Sequence, residues 1–401
     1  MRIGFFFNHD QTHQVAHSLP IALSLMRNVP EAEVVIATAN PRLTAEVRRL
    51  AAACDTIVPV IELGLKRPLS RLMARKLNAV VPAAKLAIYR DNLDFFRSLD
   101  TLVVSEKTSL ILKTRYGLDN LRMIHTRHGA GDRAIGFCKA SARFDQILVS
   151  GPKIRERLIR EAGVSPSQLS VIGYPKFDLI PTQKAILPFA DPSKPTVLYN
   201  PHVSPHLSSW YKDGRAVLEH FLADDRFNLI FAPHVMLFHR RFVLTIDKFR
   251  FDRPGLIDPR VLDAPNIHVD LGSRASTDMT YTHAADIYLG DVSSQIYEFI
   301  HRPRPCIFLN SHNVAHWGDA NYLHWAMGDV IGGADALGRA LESAETNHHR
   351  YRPAQRQLFQ RTFDLTGEPS ADRAARAIIA AMVPSEPLRL PITARGAAIA
   401  A

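Results

Sequence analysis

The sequence predicts an α/β protein of two domains, each an open parallel sheet, facing each other across one central cleft. Three observations carry this. Short β-branched runs alternate with helix-period segments along most of the chain. A proline-dense stretch interrupts the alternation midway: PKFDLIPTQKAILPFADPSKP holds Pro175, Pro181, Pro188, Pro192 and Pro195, and proline at that density ends helices and cannot enter central strands. The length, 401 residues, fits two domains at roughly 100–200 residues each.

In chain order, Ile3–Phe7 reads as the first strand, and a helix follows over Gln14–Arg27. Glu33–Ala37 (EVVIA) is the next strand and Arg42–Ala53 the next helix. Thr56–Ile61, Leu102–Val104, Met123–Ile124 and Gln146–Val149 continue the series. Beyond them, Val171–Gly173, Thr196–Tyr199, Asn228–Ala232, Asn266–Asp270, Asp286–Leu289 and Pro305–Leu309 read as strands. Helical patterns lie at Gly214–Leu222, Ser276–Ala284 and Ser294–His301. These patterns predict one domain over 1–175, a linker over 176–195, a second domain over 196–370, and a poorly ordered proline- and alanine-rich tail over 384–401.

Composition narrows the function. Apolar residues make up 46% and charged residues 22%, which excludes a mainly disordered chain. Cys54, Cys138 and Cys306 are widely spaced without a CxxC pair, so neither a disulfide framework nor a cysteine-rich zinc site is expected, and the count fits a reducing cytoplasm. Polar residues interrupt the N-terminal apolar run after Phe7, too early for a secretory leader, and no stretch reaches the ~18 apolar residues of a membrane span. A cytoplasmic protein, soluble or peripheral on the inner membrane face, is expected. Lys+Arg number 49 against 39 Asp+Glu, a net charge of +10, which favours anionic partners. No helix-turn-helix, zinc-finger or RNP motif is present, so nucleic acid is not expected among them.

In doubly wound sheets, ligands bind beyond the carboxyl ends of strands, so residues just after strands are the candidates. Leu121–Gly136 (LRMIHTRHGAGDRAIG) runs from an apolar strand into His128-Gly129-Ala130-Gly131-Asp132. There the glycines permit close approach of a ligand, and a histidine suits general-base work. Its glycine spacing does not fit a dinucleotide fingerprint. Ala285–Phe299 leads through Gly290-Asp291 into Ser293-Ser294-Gln295 and a predicted helix start, an arrangement suited to a phosphate, with simple helix capping as the plainer reading. In Asn228–His234 a strand ends at Ala232 and Pro233-His234 follows, and His234 could face the same cleft as His128; no carboxylate stands at ligand spacing from His234 and His239, so no metal pair is expected. Thr196–Lys212 places Pro201, His202, His206, Ser208 and Ser209 in a long polar loop. Lys66–Arg90 has apolar residues at helical spacing with Arg71 and Arg75 facing elsewhere. It reads as an ordinary surface helix or as an element facing an anionic membrane or acceptor. No GxSxG elbow and no Walker A motif occur.

Taken in order, these pieces resemble the CDP-glycerol glycerophosphotransferase family, the teichoic-acid primases and polymerases. The resemblance rests on His128-Gly129, on Gly173-Tyr174-Pro175-Lys176-Phe177-Asp178, on Leu198-Tyr199-Asn200-Pro201, on Pro233-His234 and on Asp291-Val292-Ser293-Ser294. Arg304–Phe308 resembles the family's next strand and Ala371–Ala381 its closing helix, placed here at 371–383. The match spans roughly residues 100–380. It implies a GT-B-type fold with two Rossmann-like domains, the first on the acceptor side and the second holding the nucleotide donor. The sequence departs from the family where a basic residue often follows His-Gly and where an arginine follows the Tyr-x-Pro strand: Asp132-Arg133 and His202-Val203 stand there instead. The headgroup is therefore open between CDP-glycerol, CDP-ribitol, another activated polyol phosphate and a nucleotide sugar.

The resemblance implies transfer of a polyol phosphate from a CDP-activated donor to a hydroxyl of a glycan or lipid-linked acceptor, with His128 taking the acceptor proton and CMP leaving. His234 would stabilise the transferred phosphoryl group. Gly129, Gly173, Pro201, His202, Asp291, Ser293, Ser294 and Gln295 would surround the donor phosphates and nucleotide, and Arg71, Arg75 and Arg133 would lie on the acceptor or membrane side. No cofactor is expected, and without an acidic cluster for a metal, activity should survive EDTA. A GT-B glycosyltransferase, a nucleotide-sugar 2-epimerase and a non-catalytic glycan- or anion-binding protein are the alternatives.

Overall fold

A computed structural model describes residues 1–68, 70–72, 83–180, 185–239, 241–245 and 250–382. Strands β1 (Arg2–Phe7), β2 (Glu33–Thr38), β3 (Val60–Glu62), β4 (Thr101–Val104), β5 (Arg122–Thr126), β6 (Gln146–Val149) and β7 (Leu169–Val171) form one sheet in the order β3-β2-β1-β4-β5-β6-β7. Every pairing is parallel, with Phe5 opposite both Ile36 and Val103. The apolar run Ile3–Phe7 is explained by this position, because a central parallel strand is covered on both faces. The order reverses between β1 and β4, so a crevice opens at their carboxyl ends.

The second sheet repeats the design. It contains β8 (Thr196–Asn200) and β9 (Asn228–Phe231), and, after a separate antiparallel pair β10 (Val243–Thr245) and β11 (Arg250–Asp252), β12 (Ile267–Val269), β13 (Ile287–Gly290), β14 (Cys306–Leu309) and β15 (Asp329–Ile331). Its order is β12-β9-β8-β13-β14-β15, again all parallel, and it reverses between β8 and β13. Apolar clusters cover both faces of each sheet.

The final helix, Ser370–Met382, crosses back to the first sheet, where Ala374, Ala375 and Ile378 join the cluster of Ile3, Phe5, Ile21 and Leu25. The Ser24 hydroxyl donates to Asp372 at 2.6 Å and fastens this crossing.

Several elements differ from expectation for local reasons. The helix expected over Gln14–Arg27 breaks at Ser18 into a 3-10 turn, Thr12–His17, and a helix, Leu19–Asn28, with Pro20 in its first turn, where a missing N–H costs nothing. The expected strand Thr56–Ile61 shrinks to an edge strand starting after Pro59. The helix expected over Ser276–Ala284 is interrupted by Met279 at φ 73°. That expected over Ser294–His301 is five residues, Gln295–Phe299. The first part of the expected linker is a packed 3-10 turn, Pro175–Leu179, with Pro175, Lys176 and Phe177 buried. Residues 181–184 of the linker and all of the tail lie outside the described residues, as does Arg75.

Candidate functional site

The two crevices face one another. After β1 come Asn8 and His9; after β4 come Ser105 and Glu106; after β5 come Arg127, His128 and Gly129. From the other half, Pro201 and His202 follow β8, His234 follows β9, and Asp291–Ser294 follow β13.

The contact that joins them is made by glycines. Gly129 sits at φ 73°, and a Cβ there would lie 3.7 Å from the Ser294 hydroxyl; a Cβ on Gly131 would lie 3.0 Å from the Ser294 Cβ. The loop carrying His128 therefore rests directly on the Asp-x-Ser-Ser turn. Below it, buried Asp132 binds groups from both halves: Lys153 Nζ at 2.7 Å, Tyr297 OH at 2.6 Å and His324 Nδ1 at 3.1 Å. His324 also meets the Asp291 carbonyl at 3.0 Å, and Trp325 donates to that carbonyl at 2.7 Å. Burial opposes ionisation of Asp132, but the Lys153 charge and the His324 bond hold its carboxyl well below the usual range. Burial outweighs the same partnership for Lys153, whose pKa falls to about 8.

Around the junction lies a group of imidazoles. His128 is exposed at the cleft, yet the protein crowding it, with His9 and Arg127 adding positive charge, lowers its pKa to about 4. His234 falls to about 4 through burial and the charge of Arg133. Its backbone N–H donates to the Pro201 carbonyl at 3.0 Å, and its Nδ1 accepts from the Met236 N–H at 3.2 Å. The neutral ring thus carries its proton on Nε2, ready to donate. His202, fully buried, has Nδ1 3.0 Å from the Ser204 amide and Nε2 3.1 Å from Arg133 Nη1; burial, then His234 and Arg133, keeps it neutral. Arg133, expected on the acceptor or membrane side, reaches this loop of the second domain.

Three further histidines, at the start of the chain, belong to no motif in the sequence. His9, His13 and His17 recur every fourth residue after β1, His9 in the loop and His13 and His17 on the 3-10 turn that follows. His9 Nδ1 lies 3.2 Å from Glu106 Oε1, and Lys85 Nζ lies 3.2 Å from Glu106 Oε2. Burial pushes the Glu106 carboxyl up, but the His9 bond and the Lys85 charge outweigh it and keep it ionised. His9 Nε2 is buried with no partner among the described residues. His13 drops to about 3 through burial, then the charges of Lys176, His234 and His128. His17, 6.4 Å from His128 between ring centroids, is neutral for similar reasons. Beside His13 opens a cavity of 460 Å³ lined from both halves, by Arg49 and Lys176 and, opposite, by Val235, Ser273 and Arg274.

Other expected ligands are hydrogen-bonded within the protein. Asp291, buried, accepts from His202 N (2.9 Å), Ser209 N (2.6 Å), Ser209 Oγ (2.8 Å) and Val292 N (2.6 Å), so its carboxylate holds the 202–209 loop rather than a phosphate's surroundings. Ser293 is buried and its Oγ accepts from Gln295 N at 3.3 Å, while the Gln295 amide donates to the Ser276 carbonyl at 2.8 Å. Of that turn, Ser294 is the exposed hydroxyl. The helix behind it has five residues and contributes little dipole to the expected helix-terminus site. Gly173, at φ 82°, lies against Ser370 at the start of the closing helix. Arg71 is exposed, with Nε donating to the Leu65 carbonyl at 3.0 Å. Among the described residues no three His, Cys, Asp or Glu side chains converge as a metal-ligand set, and no helix is long and apolar enough to cross a membrane.

No protein-family model and no curated protein matches the sequence. Solved structures match the fold along nearly the whole chain. A histidine-to-asparagine variant of the wall teichoic acid polymerase TagF, soaked with CDPG, is 14% identical over 94% of this chain and 88% of its own, with a TM-score of 0.55. A UDP-N-acetylglucosamine 2-epimerase is 10% identical over 94% of each chain, TM-score 0.58. MnaA of S. aureus in complex with UDP is 12% identical over 94% of each chain, TM-score 0.58. At these identities the likeness is one of fold: the protein has the two-domain, Rossmann-like GT-B fold, with its histidine-lined cleft between the domains.

Proposed function

We propose that the protein transfers a polyol phosphate, with glycerol phosphate the leading headgroup, from a CDP-activated donor to a hydroxyl of a cell-surface glycan or lipid-linked acceptor. One observation carries the reading: the His128-Gly129-Ala130-Gly131 loop of one domain packs on Ser294 of the other, which supports a neutral imidazole and an exposed hydroxyl serving one site. The TagF structure soaked with CDPG shares this fold and supports the donor class.

In this reading the acceptor hydroxyl gives its proton to His128 while its oxygen bonds to the distal phosphorus. The bond from that phosphorus to the bridging oxygen breaks, and CMP leaves with the bridging oxygen. A leaving group of this kind needs little acid assistance, so the demand on the protein is positioning and charge stabilisation. Ser294 Oγ, His234 Nε2–H and the amides of the glycine loop are the donors to the phosphoryl oxygens. The 460 Å³ cavity, bordered by Arg49, Lys176 and Arg274 together with Glu46, Asp178 and Asp278, has the size to seat the rest of the donor. Nucleotide release is to be scored with CDP-glycerol against a panel of UDP-sugars. His128→Ala should lose about 10²–10⁴-fold in kcat/KM. A loss below tenfold with the fold intact removes the base assignment.

Glu106 favours a second reading. It is an ionised carboxylate at the switch point of the first sheet, beside His9, and deprotonation chemistry on a nucleotide sugar needs such a group. Turnover of a UDP-sugar, abolished by Glu106→Gln, with no release of CMP from CDP-glycerol, selects it.

A further inference from the structure

The pair β10–β11 belongs to neither sheet, and its outer face is apolar. Leu244 stands opposite Phe251 in the register, and Phe242 shares their face, its ring centroid 5.6 Å from that of Phe251. Phe242, Leu244 and Phe251 are 53%, 55% and 56% exposed, and none belongs to the four core clusters. Arg241, Arg250 and Arg253 are exposed around them, and among the described residues none of these guanidiniums is in an ion pair. The neighbouring acid, Asp252, accepts the Arg253 amide. The pair follows directly on the segment carrying His234 and Val235, and Val235 lines the cleft cavity.

We propose that this strand pair docks the protein on an anionic lipid surface, with the aromatic and leucine side chains entering the headgroup region and the arginines meeting lipid phosphates. Two arguments favour lipid over a second copy or another protein. Three half-exposed side chains offer roughly 300 Å², well short of the ~800 Å² per partner of a stable protein interface. Exposed arginines, without an ion pair among the described residues, flank exposed aromatics on a chain of net charge +10 and match a negatively charged interface. Docking here would bring the protein to a membrane that holds a lipid-linked acceptor; for that purpose, though not for binding itself, the proposal rests on the transfer reading above.

The test is co-sedimentation of the full-length protein, without substrate, with phosphatidylcholine vesicles and with vesicles containing phosphatidylglycerol, at low and high salt. Wild type should bind the anionic vesicles, less so at high salt. The combined variant Phe242→Ser, Leu244→Ser, Phe251→Ser should bind at least tenfold more weakly. Arg250→Gln with Arg253→Gln should lose the salt dependence in part. Circular dichroism checks that each surface variant folds. Binding by the apolar variant equal to wild type, no preference for anionic vesicles, or loss of self-association in place of vesicle binding overturns the proposal. Donor turnover with a water-soluble acceptor separates the two ideas: transfer without vesicle binding sinks the docking surface alone, and vesicle binding without transfer sinks the transfer reading alone.

Discussion

His128 has a lower pKa, about 4, than a free histidine, and this sets a specific kinetic signature. A base must be neutral in the free enzyme, so the acid limb of kcat/KM should fall near pH 4, well below the ~6.5 of an unperturbed imidazole. A bound diphosphate brings negative charge beside the ring and raises that pKa, which strengthens the base when it is needed. The acid limb of kcat should therefore lie above that of kcat/KM; coincident limbs near 6.5 would contradict the environment described here. Gly129 gives a second prediction at this scale. Its φ of 73° leaves alanine strained beside Ser294, so Gly129→Ala should cost about 1–2 kcal/mol of stability and a larger factor in activity, read by thermal melts and turnover together. His128 is legible in the sequence because glycines flank it after an apolar strand. His9, His13 and His17 are not, because they fall in a loop and on a short 3-10 turn after β1, where no long periodic pattern announces them.

At the scale of elements, the loop after β5, the helix Pro152–Ala162 and the helix Gln295–Phe299 meet at Asp132. Lys153→Met removes the cation at 2.7 Å and leaves the buried carboxylate only its Tyr297 and His324 contacts among those described, so it should destabilise by about 3–5 kcal/mol. Removing both charges with Asp132→Asn in the same chain should recover much of that loss, because the penalty lies in the stranded charge. Chemical denaturation of the single and double variants measures it; equal losses would mean that packing of Lys153 over the Tyr297 ring, 3.7 Å away, matters more than the stranded charge. Nothing local marks this junction: Asp132, Tyr297 and His324 are far apart in sequence, and only the facing of two sheets brings them together. The strands themselves are readable, since parallel central strands need unbroken apolar runs. β15 (DVI) and the long helix Leu337–Thr362 are not, the first for its brevity and intermediate burial, the second for its polar surface and internal Pro353.

The whole molecule places five imidazoles from two domains, those of His13, His17, His128, His202 and His234, where burial and mutual repulsion keep them neutral. In the unfolded chain each would titrate near 6.5. Their folded pKa values are depressed, so above pH ~6.5 both states are neutral and the stability is fully present. As pH falls below that, the unfolded chain takes up protons that the folded protein refuses, and stability is lost progressively down to the folded values of about 4 for His128 and His234 and about 3 for His13. The melting temperature should fall steadily from pH 6.5 to pH 4. A polyanion bound between the domains reverses the balance, since protonated imidazoles then face negative oxygens. Binding of inorganic pyrophosphate should be accompanied by net proton uptake at pH 6, measured by calorimetry in buffers of differing ionisation enthalpy. Its stabilisation of the protein should be larger at pH 5.5 than at pH 8. A binding enthalpy indifferent to the buffer would place the anion away from the histidines, and the cleft would then have to be read without them.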